Sequence, residues 1–138
     1  MSALRHARQR GQVLVMSAAV MVFLFVPLVV YVVDTGLVEA SHAQLGETLQ
    51  ASAEDGASMI DQPTFRESGG QRVVLDETAA KETSARSLQS SGLPGLDSVR
   101  VAVTPTTVTV TATVHVRLLV AGTVSLTETR SANFVFGA

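Results

Sequence analysis

The chain has 138 residues, a formal net charge of −2, 46% apolar side chains, and neither cysteine nor tryptophan. Without cysteine there are no disulfides and no thiolate metal sites, and so bland a charge provides no basic surface for nucleic acid. The length accommodates one apolar anchor and a single further unit of about 100 residues.

Residues 1–12 form a short basic tail carrying Arg5, His6, Arg8 and Arg10. Val13 to Val33 then contains no charged side chain and is mostly Val, Leu and Phe. As an α-helix this run is roughly 31 Å long, matching a hydrocarbon core of about 30 Å. Its residues favour the bilayer by several kcal/mol in sum, a margin that Pro27 and Tyr31 reduce without reversing. Residues 13–33 are therefore expected to be a transmembrane helix, bounded by Val13 and Val33 and interrupted only by Pro27. Pro27 leaves the carbonyl of Phe23 without its usual donor and favours a kink. The basic tail before the run, with Asp34 and Glu39 after it, predicts an N-terminus inside and everything beyond about residue 36 outside. The competing reading is a secretory signal peptide cut after Ser41-His42-Ala43, but the apolar run is longer than such peptides carry.

Helical spacing continues past Asp34. No proline occurs from Gly36 to Ile60, and Leu45, Leu49, Ala53, Ala57 and Ile60 recur every three or four residues. That spacing lays one narrow apolar packing stripe along a helix, with Glu39, Gln44, Glu47, Gln50, Glu54 and Asp55 mostly off it. Asp61-Gln62-Pro63 supplies a stop, because proline disfavours helix at the residue before it. Residues 34–61 are thus expected to extend the same helix into water, giving one rod from about residue 11 to 61, on the order of 75 Å long.

Residues 62–138 read as a small α+β head. Pro63 and Gly69-Gly70 mark a loop over 62–71, and Arg72 to Leu75 suggests a short strand. Asp76 is placed to cap a helix from Glu77 to about Gln89, ended by Ser90-Ser91-Gly92 and Pro94. Its apolar residues are only Ala79, Ala80, Ala85 and Leu88, which predicts a helix lying on the surface. The period then shortens to two. Val99, Val101 and Val103 alternate with polar or small residues, and after Pro105-Thr106 so do Val108, Val110, Ala112, Val114 and Val116. Such alternation marks half-buried strands. Ala121-Gly122 turns the chain into a third strand, Thr123 to Phe136, whose alternation is interrupted at Ser131-Ala132-Asn133. Short links predict a three-stranded antiparallel meander, its valine face on the Leu45–Ile60 stripe. Phe134 and Phe136 either close that core or meet a neighbouring subunit's edge. A long N-terminal helix covered at its outer end by a small sheet is a pilin-like shape.

The histidines, His6, His42 and His115, have no metal-ligand spacing, so neither metal nor cofactor is expected. Ser41 and His42 are adjacent on a helix and point in different directions. Glu54-Asp55 reads as a solvated helix face, and Gly69-Gly70 as a turn. No catalytic constellation emerges. Ser17, Ala18 and Ala19 are small enough to let a second membrane helix approach, or they simply fill a monomeric anchor.

Several short stretches are similar to TadE/TadG-like proteins of the tight-adherence (Flp) pilus assembly system. Arg10-Gly11 before the apolar run resembles the start of these proteins. Val33-Asp34-Thr35-Gly36 looks like the Val-Asp-x-Gly closing the membrane segment of the TadG-like branch. Leu49-Gln50-Ala51-Ser52-Ala53-Glu54-Asp55-Gly56-Ala57 resembles the Leu-Gln-x-Ala-Ala-x-x-Gly-Ala of TadE-like members. The matching motifs cover roughly residues 10 to 57, with weaker similarity from Val99 to Val120.

The resemblance implies a non-catalytic minor pilin or pilus-assembly component. It would sit in the bacterial cytoplasmic membrane with its C-terminal region outside, among membrane lipid and other pilus or secretion-system membrane proteins, self-association through its N-terminal helix being one option that the small residues leave open. It also implies a possible processing site at Gly11-Gln12. Prepilin-like members carry Glu at the fifth position after that glycine, whereas this chain has Met16, which favours an unprocessed TadG-like state. Two further departures are a Leu49-Gln50 motif set about four residues, close to one helical turn, beyond its expected distance from Gly36, and no room for the adhesion-type domain of larger TadG-type proteins. The alternatives are a membrane-anchored accessory subunit of another envelope or secretion complex, and a secreted binding module released by signal cleavage.

Overall fold

The computed structural model describes residues 2–134, with side chains from residue 11 onward. Six elements occur in chain order: α1 (Ser2–Ala57), α2 (Gln62–Glu67), α3 (Glu77–Ser90), β1 (Leu96–Val103), β2 (Thr107–Arg117) and β3 (Thr123–Asn133). The architecture is the expected α+β layout of a long apolar helix, a further helix and an open three-stranded antiparallel sheet.

Helix α1 is 56 residues long and passes through Pro27, which makes it about 84 Å from end to end. It starts within the basic tail, not near residue 11, and ends at Ala57, short of the expected residue 61. The cause of the early stop is Asp61. This residue is the N-cap of α2, with extended backbone (φ −69°, ψ 95°), its carboxylate accepting from the Thr64 amide at 3.4 Å and hydroxyl at 2.6 Å. A residue that caps one helix cannot continue another. Pro63 therefore opens a helix here, since its missing N–H falls among donors that are free in any first turn. The expected loop over 62–71 is accordingly a short helix, closed by Gly69 and Gly70 at positive φ. Ile60, assigned to the helical stripe, stands beyond α1 and pairs with Leu75 in an isolated antiparallel bridge. That bridge is all that forms of the strand expected at Arg72–Leu75.

Helix α3 begins where the cap predicts: Asp76 Oδ1 accepts the Ala79 amide at 3.0 Å. It does not merely lie on the surface. Ala80, Ser84 and Leu88 are buried in close contact with α1. Gly56 of α1 sits so near that a Cβ there would collide with Ser84 Oγ and come 3.2 Å from Val108 Cγ1. Alongside it the buried Ser52 hydroxyl donates to the Ser84 carbonyl at 2.6 Å. Small residues on both helices permit this approach, and dispersion then acts across a dense seam.

The sheet has the predicted order β1-β2-β3. Val103 faces Val108, Val101 faces Val110 and Val99 faces Ala112; a register shift lies between Leu96 and Ser98. Across the second pair, Val108 faces Ala132, Val114 faces Leu126 and Val116 faces Val124. The core comprises Leu45, Leu49, Ala53 and Ala57 from α1, Leu75, Ala80 and Leu88, Val108, Val110, Ala112 and Val114 from β2, and Ala132. Strand β3 holds its register through Ser131, Ala132 and Asn133, so the expected interruption there does not occur. Its irregularity lies elsewhere: Glu128 opposite Ala112 and Arg130 opposite Val110 occupy inward positions. Phe134 packs against the core and its amide donates to the Thr106 carbonyl at 2.8 Å; Phe136 lies outside the described residues. The opposite face carries threonines paired through their hydroxyls, Thr111 with Thr129 and Thr113 with Thr127.

Candidate functional site

Three features of α1 and the sheet beside it carry the functional argument. The first is the apolar run. Its best 18-residue window has a mean hydropathy of 2.9 and none of it is buried against the rest of the chain. Val13 and Val33 at its ends are exposed, and Phe23 is 86% exposed. A soluble core helix would hide such residues; this one is apolar all round and bare. Within it Ser17 donates to the Leu14 carbonyl, and just past its end Thr35 donates to the Tyr31 carbonyl, leaving the Tyr31 hydroxyl near one end as its other side-chain polar group. That leaves little to hydrate along the rod, which is what a hydrocarbon environment requires. Gly11 and Gln12 lie inside α1 just before this run, and nothing approaches Gly11 within 4 Å.

The second feature is a charged seam between α1 and β3. Glu128, only 10% exposed, has Arg130 Nη2 at 2.5 Å from Oε1 and His42 Nε2 at 2.7 Å from Oε2. Apart from that histidine contact, the buried Oε2 has no donor. Gly46 makes room for the guanidinium, since a Cβ there would come 3.0 Å from Arg130 Nη2. An open groove of about 620 Å³ continues from Arg130 past Gly46, Glu47, Gln50 and Glu54. His42 thus works with a residue 86 positions away, and not with its neighbour Ser41. His115 is exposed on the outer face of β2, and its amide donates to the Gly95 carbonyl at 2.8 Å. Among the described residues no three His, Cys, Asp or Glu side chains converge as metal ligands.

The third feature joins the ends of the first two. Asp34, the residue after the apolar run, accepts the Leu119 amide at 2.8 Å with Oδ1 and the Val120 amide at 3.4 Å with Oδ2. These amides belong to the turn between β2 and β3, closed by the Leu118 amide donating to the Gly122 carbonyl at 2.7 Å. Pattern reading did not find this contact or the Glu128 pair. The one available signal for the latter was that Glu128 and Arg130 share the parity of Val124 and Leu126.

The packing stripe is split by these arrangements. Leu45, Leu49 and Ala53 are fully buried and Ala57 is 7% exposed, whereas Ile60 belongs to the bridge beyond the helix. What the geometry offers is a bare apolar rod, a docked head and a carboxylate that pins one to the other. No family model, curated protein or solved structure matches this chain.

Proposed function

We propose that the protein is a single-pass membrane component of a surface-pilus or related secretion apparatus, TadE/TadG-like and pilin-like in form, and non-catalytic. The apolar half of α1 resides in the bacterial cytoplasmic membrane with the basic tail inside. The remaining half carries the head outside, where it presents surfaces to other envelope proteins. Lipid and similar membrane helices are the partners of the bare rod, and the small side chains of Ser17, Ala18 and Ala19 would let such a helix, including a second copy, approach closely.

The observation that carries this reading is a continuous helix whose apolar run has no burial within its own chain while its other half is packed into a core. Cleavage after Ala43 to release the head would remove Asp34 and His42. The β2–β3 turn and Glu128 would then lose their contacts with those two residues. An intact chain is therefore the better reading than a secreted module. An accessory subunit that anchors another envelope protein is the alternative, supported by the same rod but lacking the motif similarity over residues 10 to 57.

Intact mass and N-terminal sequence of the protein from membranes and from shed surface material test the proposal. Material beginning upstream of Gly11 and confined to membranes is expected for a permanent anchor with an assembly role. A start at Gln12 would point to prepilin-type processing despite Met16 and to incorporation in a filament. A start at Gln44 in the medium would sink both.

A further inference from the structure

We propose that the β2–β3 turn is a second membrane contact: Leu119 and Val120 enter the lipid interface beside α1, and the head rests on the bilayer instead of standing clear of it. The inference rests on the reading that Val13–Val33 spans the membrane.

Leu119 is 66% exposed and Val120 76%. Among the described residues, the other well-exposed large apolar side chains all lie on α1 between Val13 and Leu37. Two adjacent aliphatic residues at a turn are not unusual singly; their height along the molecule gives them meaning. Asp34 comes directly after the last residue of the apolar run and holds the amides of both, so the turn sits level with the membrane boundary.

That height is fixed by contacts along the length of the head. Gly56 of α1 meets Val108 at one end of β2, His42 meets Glu128 midway, and Asp34 meets Leu119 at the other end. The stretch of α1 from Asp34 to Gly56 rises about 33 Å, and the chain from Val108 to Leu119 extends about 36 Å. Helix and hairpin are thus matched in length, and the turn cannot leave the boundary unless the hairpin peels from α1.

The turn is also chemically suited to a medium poor in water. Leu118, Leu119, Val120, Ala121 and Gly122 carry no charge. Three of their amides already have acceptors: Leu118 on Gly122, Leu119 and Val120 on Asp34. Unpaired amides are what make a loop costly to move out of water. Arg117, exposed at the end of β2, stands where anionic headgroups would meet it. A lipid surface is therefore the occupant that fits, since the rod that ends beside this turn needs the same solvent.

The chain contains no cysteine, so single probes can be placed in the full-length protein. An environment-sensitive fluorophore would be attached in turn to Phe23→Cys, Leu119→Cys and Thr106→Cys. The variants would be reconstituted in vesicles of phosphatidylethanolamine and phosphatidylglycerol, alone and with lipids bearing either a deep nitroxide, which reaches position 23, or a shallow one, which reaches position 119. The expected result is a blue shift and lipid-nitroxide quenching at positions 23 and 119. Position 106, in the turn at the far end of the sheet, should respond only to aqueous iodide. Quenching at 23 with only iodide quenching at 119 would overturn the inference and leave the span intact. Protection of 119 from both quenchers would also overturn it, because protein and not lipid would then cover the turn. Absence of lipid quenching at 23 would instead remove the spanning reading on which it rests.

Discussion

The two halves of α1 share one backbone and two kinds of surroundings. From Val13 to Val33 the side chains are apolar on every side and none is buried by the rest of the chain. From Leu45 to Ala57 only a stripe is apolar, and that stripe is sunk beneath the sheet and α3. Helical hydrogen bonds are internal, so the same rod can pass from one medium to the other without rearranging its backbone. On the proposed membrane reading, what changes is where the apolar surface is satisfied: outward into lipid in the first half, inward against the head in the second. Asp34 lies near the join, and its contact with the β2–β3 turn places the lower edge of the head at that point.

The same substitution on either side of the join should separate the two halves. Leu49→Ala removes a fully buried side chain from the core and should destabilise the head by about 2–5 kcal/mol. Leu24→Ala, in the bare run, should leave head stability unchanged. Thermal unfolding of the full chain in lipid nanodiscs, monitored by tryptic resistance of the head, reads the contrast. A charge gives the reverse contrast. Val22→Lys should weaken membrane insertion by roughly 3 kcal/mol, while Ala51→Lys, on the exposed side of the second half, should leave it unchanged. The readout is the fraction surviving alkaline extraction of membranes. The smallest effect tests the seam between α1 and α3: Gly56→Ala forces a methyl onto Ser84 Oγ and should destabilise the head by about 1–3 kcal/mol through overpacking. No comparable loss is expected for Gly36→Ala, which has open space around it.

These contrasts also explain what could be read from the sequence. The apolar run and β2 declared themselves because every position obeys one period or one chemistry. The same is true of the Asp76 cap, where a short-range bond fixes the start of α3. Helix α3 looked like a surface helix because its apolar residues are few and small, yet small size is what lets Ala80 and Ser84 reach Gly56 and Ser52. Pro63 was ambiguous by nature, being as compatible with the first turn of a helix as with the residue after one. In β3 the inward Glu128 and Arg130 disguised a regular strand, and their partner on α1 is distant in sequence. Asp34 was visible as an acidic flank of the apolar run and as part of a short motif. Its acceptor role needs a turn 85 residues further on, and no local pattern encodes that distance.

Labelling by a membrane-impermeant maleimide in spheroplasts tests most directly the claim that one helix serves lipid on one side and a head outside on the other. With Ser125→Cys on the exposed face of β3 and Phe23→Cys in the apolar run, position 125 should react at once. Position 23 should stay unreactive until detergent dissolves the bilayer. Reaction at 23 in intact spheroplasts, or at 125 only after lysis, would contradict the account.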